Sequence, residues 1–271
     1  MDYSVKGNDI IIKQSDFELS QTLDCGQAFR WEQQEDGSFT GAYLNRPLRI
    51  STVDIKDCTF MLHDISEDEL LNIWYDYFDL ITDYSELKRR LSEDETLSKA
   101  CDFAYGIRIL RQDSWEALSS FIISQNNNIP RIKGIIGRLV EHYGGYPSID
   151  DMADETAESL SFLRAGFRAK YLVDAVDKLY RGEITIEGIR QASLEDATKK
   201  LMSIKGVGPK VASCALLFGF YKLDAFPVDV WVKRVLSEYY PNGLPDCTKG
   251  IEGIAQQYLF HYIRKQYGKV E

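Results

Sequence analysis

Lys210 and Asp229 stand nineteen residues apart, and a lysine with an aspartate can divide one reaction between them. The amine attacks a carbon, and the carboxylate offsets the positive charge that develops there. Lys210 opens a helical pattern in which Val211, Cys214, Ala215 and Phe218 are apolar. Apolar neighbours and the positive amino end of that helix both disfavour an ammonium ion, so the Lys210 amine is expected to lose its proton more readily than a free lysine. Just before it, Gly206-Val207-Gly208 permits backbone angles that a side chain forbids, and Ala197, Leu201, Met202 and Ile204 make a helical pattern ahead of the turn. The spacing predicts helix, hairpin turn, helix, with outward amides at the second helix start to hold a phosphate oxygen. Lys199, Lys200 and Lys205 add positive charge, and no acidic residue lies between Thr198 and Leu223. Pro227-Val228-Asp229 then leads into a helical run, Val230 to Tyr239, which Asp229 is suited to cap. Each feature alone also has a plain structural use: the glycines as a helix connection, Asp229 as a cap, Lys210 as a surface lysine lying along its helix.

Taken together over about residues 194–237, the order helix, Gly-Val-Gly turn, lysine, helix, Pro-Val-Asp, helix resembles the helix-hairpin-helix DNA glycosylases. In that superfamily a lysine at the position of Lys210 marks the members that release a base and then cleave at the abasic site, and the aspartate is catalytic. Four more segments resemble the 8-oxoguanine DNA glycosylases, in the same order and spanning residues 25 to 260. They are Cys25-Gly26-Gln27-Ala28-Phe29-Arg30-Trp31, Ser124-Gln125-Asn126-Asn127-Asn128-Ile129 with Arg131, Gly166-Phe167-Arg168-Ala169-Lys170-Tyr171, and Ala255-Gln256-Gln257-Tyr258-Leu259-Phe260.

What the resemblance implies has a physical reason at each place. 8-Oxoguanine carries a hydrogen at N7 where guanine has a lone pair, so one fixed acceptor separates them; by resemblance it is the backbone carbonyl of Gly26. A base turned out of the duplex needs its faces stacked and its pairing edge read. Phe260 supplies one face, Gln256 one helical turn earlier reads the edge, and Cys214 forms the opposite wall. Asn126 fills the vacancy in the duplex, Arg131 and Arg168 donate to the orphaned cytosine, and Phe167 is a wedge beside it. Gly206, Val207 and Gly208 meet the phosphate backbone. The expected protein is a base excision repair enzyme that excises 8-oxoguanine opposite cytosine through a Lys210 Schiff base, then performs β-elimination. No metal or organic cofactor is expected, and the partner is double-stranded DNA met by a monomer. The alternatives are a glycosylase of this superfamily for other oxidised or alkylated bases, and a non-catalytic helix-hairpin-helix module, which has no use for Lys210 and Asp229 together.

The formal charge of −10 runs against a DNA partner until it is divided along the chain. Residues 1–126 hold 12 Lys/Arg and 24 Asp/Glu, a balance of −12, whereas residues 127–271 hold 20 and 18, a balance of +2. Glu67-Asp68-Glu69 and Glu93-Asp94-Glu95 read as solvated helix starts. The five cysteines are scattered with no CxxC spacing, which argues for neither a zinc site nor a disulfide framework. No run approaches the ~20 apolar residues of a membrane helix. The opening MDYSVKGNDI has no signal-peptide pattern, so the expectation is an intracellular protein of the cytoplasm and nucleoid, or of a eukaryotic nucleus.

The elements that must carry these residues change period once. Up to about Asp64 the pattern is strand-like, at Ile10 to Ile12, Phe29 to Glu32, Phe39 to Leu44, Leu48 to Val53 and Phe60 to Leu62, with Glu35-Asp36-Gly37 as a hairpin turn. From Ser66, where Ser66 and Glu69 make a capping-box pattern, it is helical almost throughout. The predicted fold class is α+β: an N-terminal antiparallel β-sheet domain, 1–65, packed on an α-helical body, 66–271, that carries the helix-hairpin-helix motif.

Overall fold

Alternating apolar residues in the first sixty positions build one antiparallel sheet of six strands. They are β1 (Asp2–Lys6), β2 (Asp9–Lys13), β3 (Glu32–Gln33), β4 (Phe39–Tyr43), β5 (Arg46–Asp54) and β6 (Thr59–His63), in the order β1-β2-β6-β5-β4-β3. The computed structural model that shows this describes residues 2–267, so the last four residues of the expected helical part lie outside the described residues. Register follows from which side chains must be buried. Ile10 pairs with Leu62, Leu62 with Ile50 and Ile50 with Phe39, so one buried row crosses four strands. Leu19, Leu23, Leu70, Trp74 and Phe78 close over that face, and each fully buried side chain of this size contributes roughly 1.5–3 kcal/mol.

Two strands differ from the periodic reading. β1 carries only a short alternation, Tyr3 and Val5, of which Tyr3 alone is even half-buried, and the strand is held as an edge by backbone pairing to β2. Phe29 and Trp31 are buried but lie outside strands, and only Glu32 of that stretch enters β3. The hairpin turn has Gly37 at φ +81° and Asp36 accepting from the Ser38 amide at 3.0 Å. Ser66 and Glu69 form a reciprocal capping box.

The chain folds as two compact units. Residues up to Arg111 join those from Val228 onward in one, and Gln112–Pro227 form the other. The period change near residue 65 falls inside the first unit, which contains the sheet and also the helices Tyr84–Leu91, Glu95–Phe103, Val230–Tyr239 and Glu252–Tyr267. The second unit is helical. Its centre is the pair Ser114–Ser124 and Pro209–Phe220, where Ser114 Oγ donates to the Gly219 carbonyl at 2.6 Å and Phe121 stacks on Phe218 with centroids 5.4 Å apart. Gly219 permits this approach, because a Cβ there would meet the Ala117 Cβ at 2.7 Å. The fold is α+β, an N-terminal antiparallel sheet with a mostly helical remainder. Among the described residues no helix is long and apolar enough to cross a membrane.

Candidate active site

The hairpin of the second unit begins where the helix Leu194–Met202 ends. Ile204 N–H donates to the Leu201 carbonyl and Val207 N–H to the Ile204 carbonyl, winding the chain into a turn that needs φ +78° at Gly206. The Val207 side chain is buried and its amide is committed inside the turn. Val207, expected to touch DNA, is therefore the apolar anchor of the hairpin. Gly208 is the extended N-cap of the helix Pro209–Phe220 and Pro209 takes its first turn, where a missing N–H costs nothing.

Lys210 is the second residue of that helix and is exposed. It lines a cavity of about 320 Å³ together with Cys214 one turn on, Val211, Phe121, Gln125 and Asn126, with Gly206 and Gly208 at the hairpin side. The cavity brings an amine to the start of a helix whose first amides have no helical partner, beside an apolar wall. An amine in that place can attack an electrophilic carbon while the turn holds an adjacent anion.

The residues expected around the orphaned base converge in the same unit. Asn126 is exposed and held at φ +46°, between the helices Ser114–Ser124 and Ile129–Tyr143. Phe167 is 47% exposed and lies under the Arg168 guanidinium, 4.5 Å from its ring centroid. Arg168 itself is buried: Nε donates to the Gln125 carbonyl at 2.7 Å, Nη2 to the Asn126 carbonyl at 2.8 Å and Nη1 to the Ala165 carbonyl at 3.2 Å. Burial, and then the neighbouring charge of Arg131, hold the Arg168 guanidinium below its ordinary pKa. Arg131 is exposed on the first turn of its helix. Of the two arginines read as base donors, only Arg131 keeps its side chain at the surface, while Arg168 is spent on the backbone that carries Asn126.

The remaining candidates belong to the first unit. Gly26 sits at φ +88° in a loop fixed by Gln27, whose buried amide donates to the Thr22 and Arg108 carbonyls at 2.8 Å and accepts from the Leu110 N–H at 3.0 Å. Burial pushes the Cys25 thiol up to about 11, which keeps it protonated. On the helix Glu252–Tyr267, Gln256 is buried with its Oε1 accepting from Gln257 at 2.7 Å, and Phe260 is half-buried under the Arg264 guanidinium. Asp229 caps the helix Val230–Tyr239, Oδ1 accepting from the Trp231 and Val232 amides at 3.0 and 2.8 Å. Sequence reasoning gave no role to Gln27, Tyr171 or Asp174, although Gln27 and Tyr171 lie in segments that resemble the family; for Asp174 the signal is its i, i+3 spacing from Tyr171 on one helix.

Comparison with known proteins agrees along the chain. Residues 9–118 match the family model of the 8-oxoguanine DNA glycosylase N-terminal domain, and residues 119–252 match that of the HhH-GPD superfamily of base excision DNA repair proteins. The N-glycosylase/DNA lyase of Saccharomyces cerevisiae is 29% identical over 278 residues, covering 88% of this chain and 72% of that one. The solved structure of the Clostridium acetobutylicum 8-oxoguanine glycosylase/lyase, in complex with double-stranded DNA containing cytosine opposite 8-oxoguanine, is 38% identical with a TM-score of 0.88, covering 98% and 99% of the two chains. A structure of MBOgg1 with a low-affinity DNA ligand is likewise 38% identical, with a TM-score of 0.90 and coverage of 98% and 99%.

Proposed function

Because this chain belongs to the 8-oxoguanine DNA glycosylases of the HhH-GPD superfamily, and so is a DNA glycosylase with abasic-site lyase activity, we propose a specific division of its chemistry among its residues. The observation that carries the proposal is the cavity in which Lys210, at the amino end of a buried helix, shares a wall with Cys214 and Asn126. The Lys210 amine, in its unprotonated form, attacks C1′ of the damaged nucleotide. The C1′–N9 bond breaks with its electron pair leaving on the base, which takes up a proton. The amine then loses a proton and the C1′–O4′ bond breaks with its electron pair on O4′, which takes up a proton, so that the ring opens to a C1′=N Schiff base; removal of a C2′ proton then expels the 3′ phosphate by β-elimination.

Asp229 offsets the positive charge that builds on the sugar, with its cap bonds holding the carboxylate still. The Gly26 carbonyl accepts the N7–H that marks 8-oxoguanine, a difference from guanine of roughly 1 to 3 kcal/mol. Gln256 reads the pairing edge, while Phe260 and Cys214 stack the base. Arg131 donates to the cytosine left behind, Asn126 enters the vacancy and Phe167 wedges the neighbouring stack. The backbone of Gly206 and Gly208 and the first turn at Lys210 receive a phosphate of duplex DNA.

The test is borohydride trapping on a duplex carrying one 8-oxoguanine opposite cytosine. Wild type should form a covalent complex and release the base; Lys210→Gln should bind the duplex within about threefold of wild type, since one lysine makes a small part of the phosphate contact, yet form no adduct. An adduct or normal base release in Lys210→Gln would overturn the assignment.

A further inference from the structure

Lys210 begins where the hairpin ends, and the hairpin leans on one helix, Arg168–Tyr180. The Tyr171 ring lies so close beneath Gly206 that a Cβ there would come within 2.3 Å of it. Three residues on, Asp174 Oδ2 accepts the Lys205 N–H at 2.7 Å. Toward the amino end of the same helix, Phe167 meets the Tyr171 ring edge-on, with centroids 5.5 Å apart, and Arg168 grips the Gln125 and Asn126 carbonyls. Both rims of the Lys210 cavity, the hairpin and the Asn126 segment, are thus tied to one rigid element.

We propose that Tyr171 and Asp174 are positioning residues that hold the Lys205–Gly208 turn in its phosphate-receiving shape, an inference that rests on the DNA-acting reading of this site. A carboxylate is an adverse neighbour for a turn that must accept phosphate, because it repels the anion. Its use here is geometric. By taking the Lys205 N–H it fixes the peptide that enters the turn, and the Tyr171 ring sets the height of the next peptide from below. The two contributions of Asp174 therefore have opposite signs: its hydrogen bond favours DNA binding through shape, and its charge opposes it.

That opposition makes the proposal separable from a general role in folding. Binding is measured on an uncleavable abasic-analogue duplex at low and high salt, with single-turnover base release at saturating DNA and the melting temperature alongside. Asp174→Asn keeps the acceptor and removes the charge, so it should bind about two- to tenfold tighter than wild type at low salt and equally at high salt. Asp174→Ala and Tyr171→Ala should bind about tenfold more weakly, the scale of one lost hydrogen bond or packed ring, with base release at saturation within about threefold of wild type. Tyr171→Phe, which keeps the ring, should match wild type. If the alanine variants do not fold, Asp174→Asn decides alone: an affinity and salt dependence identical to wild type would overturn the proposal. So would alanine variants that fold and bind like wild type. A wild type that binds no duplex would sink the reading of the site and this proposal with it, whereas a binding wild type with unchanged variants would sink this proposal only.

Discussion

The Arg168 guanidinium donates to the Asn126 carbonyl at 2.8 Å and so holds, from behind, the residue proposed to enter the vacancy left by a flipped base. Buried and committed to backbone, Arg168 serves the shape of the Asn126 segment, while the exposed Arg131 is the donor open to a partner base. The two arginines should therefore fail differently. Arg131→Ala should slow excision opposite cytosine more than opposite adenine, by about 1 to 3 kcal/mol of lost discrimination for a good base contact. Arg168→Ala should slow excision opposite all four bases by similar factors. Single-turnover rates on four duplexes check this, and a selective loss opposite cytosine in Arg168→Ala would contradict the division.

Asp229 joins a fold role to the proposed chemistry, and the two can be pulled apart. Asn keeps an oxygen that accepts the Trp231 and Val232 amides, so Asp229→Asn should melt within a degree or two of wild type, about the effect of a few tenths of a kcal/mol. Without the negative charge, base release should slow by about a hundredfold or more. A melting temperature that falls in step with the rate would make the residue a cap only.

Gln256 and Phe260 lie one turn apart on the same helix, one buried and one half-buried. If they grip the base, Gln256→Ala and Phe260→Ala should each weaken excision by about 1 to 3 kcal/mol. Cleavage at a preformed abasic site, which offers no base to grip, should be much less affected. Equal losses on both substrates would show that the two side chains pack the protein instead.

His261, beside Phe260, gives the fold a pH dependence with a defined sign. Its Nε2 is buried without a hydrogen-bond partner among the described residues, and burial, then the nearby Arg264 charge, pull its pKa from 6.5 down to about 4. Between those values the unfolded chain binds a proton that the folded chain refuses, so stability falls as pH drops from 6.5 toward 4 and the loss levels off below that. At about 1.4 kcal/mol per pKa unit, the loss at pH 4.5 is on the order of 2 kcal/mol. Urea unfolding of wild type and His261→Gln at pH 7 and 4.5 should show the variant losing less stability by about that amount. Parallel losses in the two proteins would rule His261 out as the source.

The parts of this protein that are legible in its sequence are those governed by neighbours within a turn or a strand. The glycines of the hairpin, Pro209 at a helix start, the Asp229 cap and the Ser66 capping box are each satisfied within about four residues, and a two-residue period announces the buried row through Ile10, Leu62, Ile50 and Phe39. β1 escaped because its alternation is only two apolar residues long, Tyr3 and Val5, and an edge strand that buries little needs no longer one. The supports of the site escaped for a deeper reason. Gln27 braces Gly26 against carbonyls and amides some eighty residues away, Arg168 turns inward to Gln125 and Asn126, and Tyr171 forces a glycine at 206 by occupying its side-chain space. A buried donor goes to whichever acceptor packing brings within reach, and a ring excludes whatever packing brings against it. The chain's local patterns therefore determined which residues could do chemistry, and only the tertiary packing decided which of them stay exposed to DNA and which are spent on holding the others in place.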